Sequence, residues 1–237
     1  MNIIDPEQIK NTFHGSFLAE PLEIQAKLFK VKAFVFDWDG VFNNGAKDEV
    51  GSSPFNEIDS MGTNMLRFNY YLRKGQNPVT AVVSGEKNNA AFVLAKREHF
   101  HAVYYNIRNK KDSFLHLCTA HDIQPHEVAY FFDDVLDLPI AELCGLRIMI
   151  SRECNPLLLD LVERYNLADY ITAADGGHNG LREAIELLMG LSERYDDTIM
   201  ERVRYSEHYQ QYIQSRNIPV PAFYTATDSK ITEQQPQ

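Results

Sequence analysis

Short apolar runs recur along the chain between helix-patterned stretches, and this alternation limits the fold more than any other feature. The runs are Val31–Phe36, Val79–Val83, Ala102–Tyr105, Val128–Phe132 and Leu146–Ile150. Each is rich in β-branched or aromatic side chains, as buried parallel strands are. Between them lie the helical stretches Thr63–Lys74, Asn88–His99, Asp112–His121, Leu138–Cys144 and Pro156–Tyr165. Strands alternating with helices imply crossover units. The chain is therefore expected to be α/β, a doubly wound parallel sheet with helices on both faces.

The flanks depart from this rhythm. Residues 1–30 have weak helical periodicity (Phe17, Leu18, Leu22, Ile24, Leu28) and are expected to form an N-terminal extension with a short helix. Residues 31–190 are expected to form the main domain. Within it, residues 41–57 hold two turn signals, Asn43-Asn44-Gly45 and Gly51-Ser52-Ser53-Pro54, which predict a β-hairpin flap directly after the first strand. A long helical pattern runs from Leu181 to about Arg216. Ile218 onward, with its three prolines, is expected to be a loose tail, so that 191–237 make a C-terminal helical extension and tail.

Hydrophobic residues make up 44% of the 237, enough for a sizeable core. The net charge of −10 argues against nucleic acid and anionic membranes as partners. Three cysteines, Cys118, Cys144 and Cys154, without C-x-x-C spacing fit a reducing compartment. Met1 to Lys10 is polar, with no basic segment leading into an apolar one, and no apolar run approaches a membrane span. A cytoplasmic location is expected.

In an open parallel sheet, ligands bind outside the carboxyl ends of the strands. The first strand delivers Asp37 and Asp39 there, on one side of the chain, with Trp38 pointing away and Gly40 permitting a sharp turn. The second delivers Ser84-Gly85 at a helix start, suited to a phosphate. The third leads through Asn106 and Arg108 to Asn109-Lys110-Lys111, and the fourth delivers Asp133-Asp134 with Asp137 beyond. Carboxylates from two strands suit Mg2+, which lets an acidic pocket hold a phosphate. An aspartate can attack a phosphoryl group, a second can exchange protons, and a lysine can offset the transferring charge. Taken singly, each signal also has a plain structural explanation. Asp-x-Asp-Gly is a weak motif, Ser84-Gly85 is a common helix cap, and Lys110 alone suits a solvated surface charge. Asp133-Asp134 and Asp137 could be helix caps. Their order and shared position at strand ends favour one site.

In this order, Asp37-Trp38-Asp39-Gly40-Val41, Ser84-Gly85, Lys110 and Asp133-Asp134-Val135-Leu136-Asp137 resemble the signatures of the haloacid dehalogenase superfamily over roughly residues 30–190. Phe55-Asn56, Asp59-Ser60-Met61-Gly62, Asn109-Lys110, Val128-Ala129-Tyr130 and Gly176-Gly177-His178-Asn179-Gly180-Leu181-Arg182-Glu183 are similar to its capless phosphatases of 3-deoxy-octulosonate 8-phosphate (KDO-8-phosphate), the KdsC/YrbI type. The resemblance implies a Rossmann-like fold and a Mg2+-dependent phosphatase working through an aspartyl-phosphate. Asp37 would be nucleophile and metal ligand, and Asp39 the acid/base, lending its backbone carbonyl to the metal. Ser84 and Lys110 would hold the phosphoryl group, with Gly85, Glu86 and Asn109 on the substrate side. Asp133 would complete the metal site, and Asp134 and Asp137 would support it. The resemblance further implies a homotetramer packed through the flaps, a neighbouring subunit covering each site. Departures are Trp38 between the two acids, Phe132 in place of glycine, Ser84 in place of threonine, and Glu86 in place of arginine. Glu86 makes a nine-carbon acid such as KDN-9-phosphate an alternative substrate, and the same chemistry on another small phosphate ester is also open. An inactive binding or assembly module is a second alternative. A receiver-type signalling domain fits less well, because its phosphorylated Asp should follow a middle strand.

Overall fold

Strand β2 (Ala33–Phe36) runs at the centre of the sheet, and its side chains divide between two cores. Phe34 and Phe36 enter one apolar cluster, while Ala33 and Val35 enter the other, as the period of two requires. The computed structural model describes residues 6–227 and 230–236. Chain order is α1 (Pro6–Thr12), β1 (Ser16–Phe17), α2 (Pro21–Leu28), β2, α3 (Glu57–Lys74), β3 (Val79–Val83), α4 (Asn89–Glu98), β4 (Ala102–Tyr104), α5 (Lys110–Ala120), β5 (Val128–Phe132), α6 (Leu138–Ala141), β6 (Leu146–Ser151), α7 (Pro156–Arg164), β7 (Tyr170–Asp175), α8 (Gly180–Leu191), α9 (Tyr195–Val203), α10 (Glu207–Arg216), β8 (Ala222–Thr227) and β9 (Lys230–Glu233).

The strand order is β1-β7-β6-β5-β2-β3-β4-β8-β9, with β1 and β9 antiparallel to their neighbours and the rest parallel. From β2 the chain winds outward through β3 and β4, then returns to β2's other side for β5, β6 and β7. That reversal places a crevice beyond the carboxyl end of β2. Buried side chains of α2, α3, α4, α8 and α10 fill one core, and those of α5, α6 and α7 fill the other. The expected doubly wound α/β architecture is present, and the expected strands match β2 to β6 in order.

The short helix expected within residues 1–30 is present as α2, but sequence periodicity misreads the rest of the flanks. The segment expected as a loose tail contains β8, which continues the sheet beside β4 in parallel, and β9 beyond it. Two faces of β8 are anchored. Phe223 meets Phe92 edge-on at 5.5 Å in one core, and Tyr224 stacks on Tyr104 at 4.9 Å on the other side. Pro219 and Pro221 precede the strand, where a missing N–H is harmless. Phe223→Ala is expected to destabilise the protein by about 3 kcal/mol, read from denaturant unfolding, because it hollows a site only 2% exposed.

The expected long helix from Leu181 to Arg216 is three helices. Glu193 and Tyr205 take left-handed backbone conformations (φ 65° and 48°) between them. The first break is held by Asn69 Nδ2, which donates to Ser192 Oγ at 2.7 Å and Thr198 Oγ1 at 2.9 Å. At the second, Ser206 Oγ caps α10 by accepting from Tyr209 N. The N-terminal segment joins the same fold: β1 pairs with β7, a strand the sequence reading omits, and Ile9, Ile24 and Leu28 lie in the first core. No hairpin ladder forms over 41–56, which is irregular loop. Its backbone is tied to side chains instead, as described below.

Candidate active site

Asp37 and Asp133 directly follow the adjacent parallel strands β2 and β5, whose register pairs Phe36 with Phe131. The ladder extends one bond further, Asp37 N donating to Phe131 O at 2.9 Å. Two carboxylates are thereby brought to one spot by backbone pairing alone. Asp137 joins them from the turn before α6. Each of the three offers an oxygen within 4.8 Å of the others, and all three are buried. Lys110, the first residue of α5, reaches under the cluster: its Nζ lies 2.6 Å from Asp37 Oδ1 and 2.7 Å from Asp137 Oδ1. Tyr130 donates its hydroxyl to the same Asp137 oxygen.

Burial and mutual repulsion dominate the electrostatics. Loss of solvation, then the neighbouring Asp137 charge, pushes the Asp37 pKa upward against the pull of Lys110. Asp133 is raised by burial and then by Asp37, against Arg152. Burial disfavours the Lys110 ammonium, yet the carboxylates outweigh it and hold its pKa above the usual lysine value. Arg152 Nε stands 2.5 Å from Asp133 Oδ2, but neither Asp133 oxygen receives a hydrogen bond from the described residues. Three buried carboxylates converging on one spot, with both Asp133 oxygens lacking hydrogen bonds from the described residues, fit a hard divalent cation such as Mg2+.

Asp39 belongs to a second network on the same rim. Its carboxylate accepts from Ser53 Oγ at 2.5 Å, Lys47 Nζ at 2.6 Å and Asn88 Nδ2 at 3.1 Å. Asn88, which is buried, ties this network to Ser84, its Nδ2 lying 3.3 Å from Ser84 Oγ. Asn88 Oδ1 accepts from Lys47 Nζ and from Ser53 N. Ser84 Oγ also accepts from Glu86 N at 3.3 Å. Both contacts use its lone pairs, so its proton is available to an incoming oxygen.

No family model matches the chain. The 3-deoxy-D-manno-octulosonate 8-phosphate phosphatase KdsC of Escherichia coli (strain B / BL21-DE3) is 25% identical over 179 residues, 74% of this chain and 88% of KdsC. The same fold occurs in a Moraxella catarrhalis 3-deoxy-D-manno-octulosonate 8-phosphate phosphatase, solved with magnesium, phosphate and KDO. It superposes with a TM-score of 0.63 at 23% identity, covering 76% of this chain and 98% of that one. The cobalt-bound YrbI phosphatase of Haemophilus influenzae gives 0.60 at 21% identity, over 73% and 99%. Over most of its length the chain is thus similar in sequence to KdsC and shares the fold of the KdsC/YrbI-type phosphatases of the haloacid dehalogenase superfamily.

Two departures from that family's pattern find a physical explanation. Phe132 is fully buried and stacks on Tyr130 at 5.6 Å within the core beneath the sheet, so its ring does not enter the acid cluster. Trp38 points into the opposite core, stacked on Phe42, and donates Nε1–H to Ser53 O at 3.1 Å. The indole thus holds loop 41–56 where Ser53 and Lys47 meet Asp39. The glycine motif after β7 is also accounted for by packing. A Cβ on Gly176 would lie 1.8 Å from Gly40 O, so two loops press backbone to backbone beside Asp39.

Of the residues singled out in the sequence, Asp37, Lys110, Asp133 and Asp137 converge, with Asp39 and Ser84 beside them. The family resemblance gives Asp39 a backbone-carbonyl role at the metal, which leaves its side chain for the second network. Asp134 lies outside the cluster: its Oδ1 accepts from Val135 N and caps a single turn. Gly85, Glu86 and Asn109 line an adjoining cleft. Sequence reasoning misses the site roles of Asn88, Lys47, Ser53, Arg152 and Tyr130: Ser53 stands there only in a turn signal and Tyr130 only in a family-like stretch, and folding recruits all five. Asn88→Ala is expected to lower kcat by ~10- to 100-fold while sparing the fold, because it releases Asp39 and Ser84 together. Steady-state kinetics with a matched thermal melt checks this.

Proposed function

We propose that this chain is a Mg2+-dependent phosphatase of a sugar-acid phosphate monoester, of the KDO-8-phosphate class, working through an aspartyl-phosphate on Asp37. The observation that carries the reading is the meeting of Asp37, Asp133 and Asp137 over Lys110 at the switch point of the sheet. Likeness to KdsC over most of both chains supports the substrate class. Asp37, Asp133 and Asp137 would hold Mg2+, which supplies positive charge to offset the acids and to draw phosphoryl oxygens.

Lys110 and the Ser84 hydroxyl orient the phosphoryl group. The Asp37 carboxylate attacks phosphorus, and the bond from phosphorus to the ester oxygen breaks. That oxygen leaves with the electron pair and takes a proton from Asp39. Water then attacks phosphorus and passes a proton to Asp39, and the phosphorus–Asp37 bond breaks with its electrons returning to the carboxylate. Lys47 and Ser53 position Asp39 for both transfers. Assembly as a homotetramer through residues 41–57 belongs to the same reading; light scattering after gel filtration tests it independently.

The test is phosphate release from KDO-8-phosphate, KDN-9-phosphate and an aryl phosphate, with Mg2+ and with EDTA. Mg2+-dependent release favouring a sugar acid is expected. No metal-dependent release from any of the three overturns the proposal.

A further inference from the structure

A cleft of about 660 Å³ opens beside the acid cluster, and residues outside the haloacid dehalogenase signatures build much of it. Its floor continues directly from the proposed phosphoryl-binding residues: Gly85 and Glu86 follow Ser84, and Asn109 precedes Lys110. Its far wall comes from the C-terminal ribbon, through Ala226 of β8 and Ile231 of β9. The ribbon reaches this position because β8 pairs with β4, whose carboxyl end leads into Asn106 and Arg108.

Among the described residues lining this cleft, Arg108 is the one cation. Arg108 is exposed and makes no hydrogen bond or ion pair with the described residues, although acids are nearby. Asp112 is engaged instead by Asn109 Nδ2 at 2.8 Å. Asn106 holds a left-handed backbone conformation (φ 54°) just past β4, in the loop that brings Arg108 and Asn109 to the cleft. An unpartnered guanidinium is a fork-shaped donor matched to a carboxylate. Amide and carboxylate side chains around it suit a row of hydroxyls, while a small apolar wall suits carbon-bound hydrogens.

We propose that this cleft is the subsite for the carboxylated, polyhydroxylated end of the substrate, with Arg108 anchoring the carboxylate and the β8–β9 ribbon of the same chain serving as the wall. This rests on the sugar-acid reading above and adds to it the residues that select the acid.

A binding measurement separates the two ideas. Calorimetry on the full chain would use the phosphate-free acid 3-deoxy-octulosonate and its counterpart lacking the carboxylate. The parent should bind the acid ~10-fold more tightly. Arg108→Gln should abolish that preference, and Arg108→Lys should restore part of it. Ile231→Glu, which sets a like charge on the wall, should weaken the acid several-fold, with Ile231→Val behaving as the parent and thermal melts confirming folding. A parent without preference, an Arg108→Gln variant that keeps it, or no binding of either compound at millimolar concentration overturns the subsite. Preference without phosphate release removes the reaction and keeps the subsite; phosphate release without preference does the reverse.

Discussion

Asp37→Asn is expected to lower kcat/KM by ~10⁴-fold or more and, at the same time, to raise the melting temperature of the metal-free protein. The first effect follows from losing the nucleophile, since amide nitrogen and oxygen do not form the phosphoryl ester. The second follows from the environment. Asp37 is 4% exposed and its pKa is pushed up by burial and then by Asp137. A carboxyl whose folded pKa lies above its unfolded value disfavours the fold once pH exceeds the unfolded value. Removing that charge relieves the repulsion, while Lys110 keeps Asp137 as a partner. The parent should gain melting temperature when Mg2+ is added, and the variant should gain much less. The parent's gain should also shrink as pH falls, because protons compete with the metal for the raised carboxyls. Differential scanning fluorimetry from mildly acidic to mildly alkaline pH, with EDTA and with Mg2+, measures all of this. A variant that stays active, or one that loses stability in EDTA, contradicts the assignment.

Lys110→Met should do the opposite to the fold. Lys110 is 5% exposed and its ammonium bridges Asp37 and Asp137, so its loss leaves buried acids facing one another. Breaking a buried pair from one side costs about 3–5 kcal/mol. The pH dependence has a definite sign. Asp37 and Asp133 already have folded pKa values above their unfolded ones, and deleting a cation raises them further. The variant is thus most handicapped at neutral and alkaline pH, and its deficit relative to the parent narrows as the carboxyls protonate in acid. Mg2+ should recover part of the loss, because it restores positive charge to the cluster. Denaturant unfolding at several pH values gives the deficit directly. A deficit that is constant with pH would place the origin of the loss in packing and not in charge.

Together these variants dissect a site that is poised against its own stability. Three acids are held closer than water would permit, and the backbone register of β2 and β5 enforces the approach. Arg152 and Lys110 offset part of the charge, and the two Asp133 oxygens receive no hydrogen bond from the described residues. Such under-satisfaction is tolerable when a ligand completes the coordination.

Much of this was legible in the chain before folding. Val79–Val83 and Val128–Phe132 stand as strands with the bounds read from their apolar runs, because a short buried strand writes itself locally. Asp37, Ser84, Lys110 and Asp133 could be placed at strand ends for the same reason. Illegible were contacts that join distant segments. Asn88 reaches Asp39 across 49 positions, and Arg216 reaches Glu98 across 118. Nothing near Asp137 in sequence distinguishes it from Asp134, since both suit a cap; only the turn before α6 sends one inward and leaves the other at the rim. The segment after Ile218 looked loose because its prolines outweigh a modest alternation. Its strand exists because β4 offers an edge and Tyr104 and Phe92 offer rings to cover. Local periodicity therefore determined the alternating architecture and the order of the chemical groups along it. The tertiary structure alone decided which acids meet, what restrains them and which part of the chain walls the cleft, because side-chain convergence depends on register between strands that sequence neighbours cannot encode.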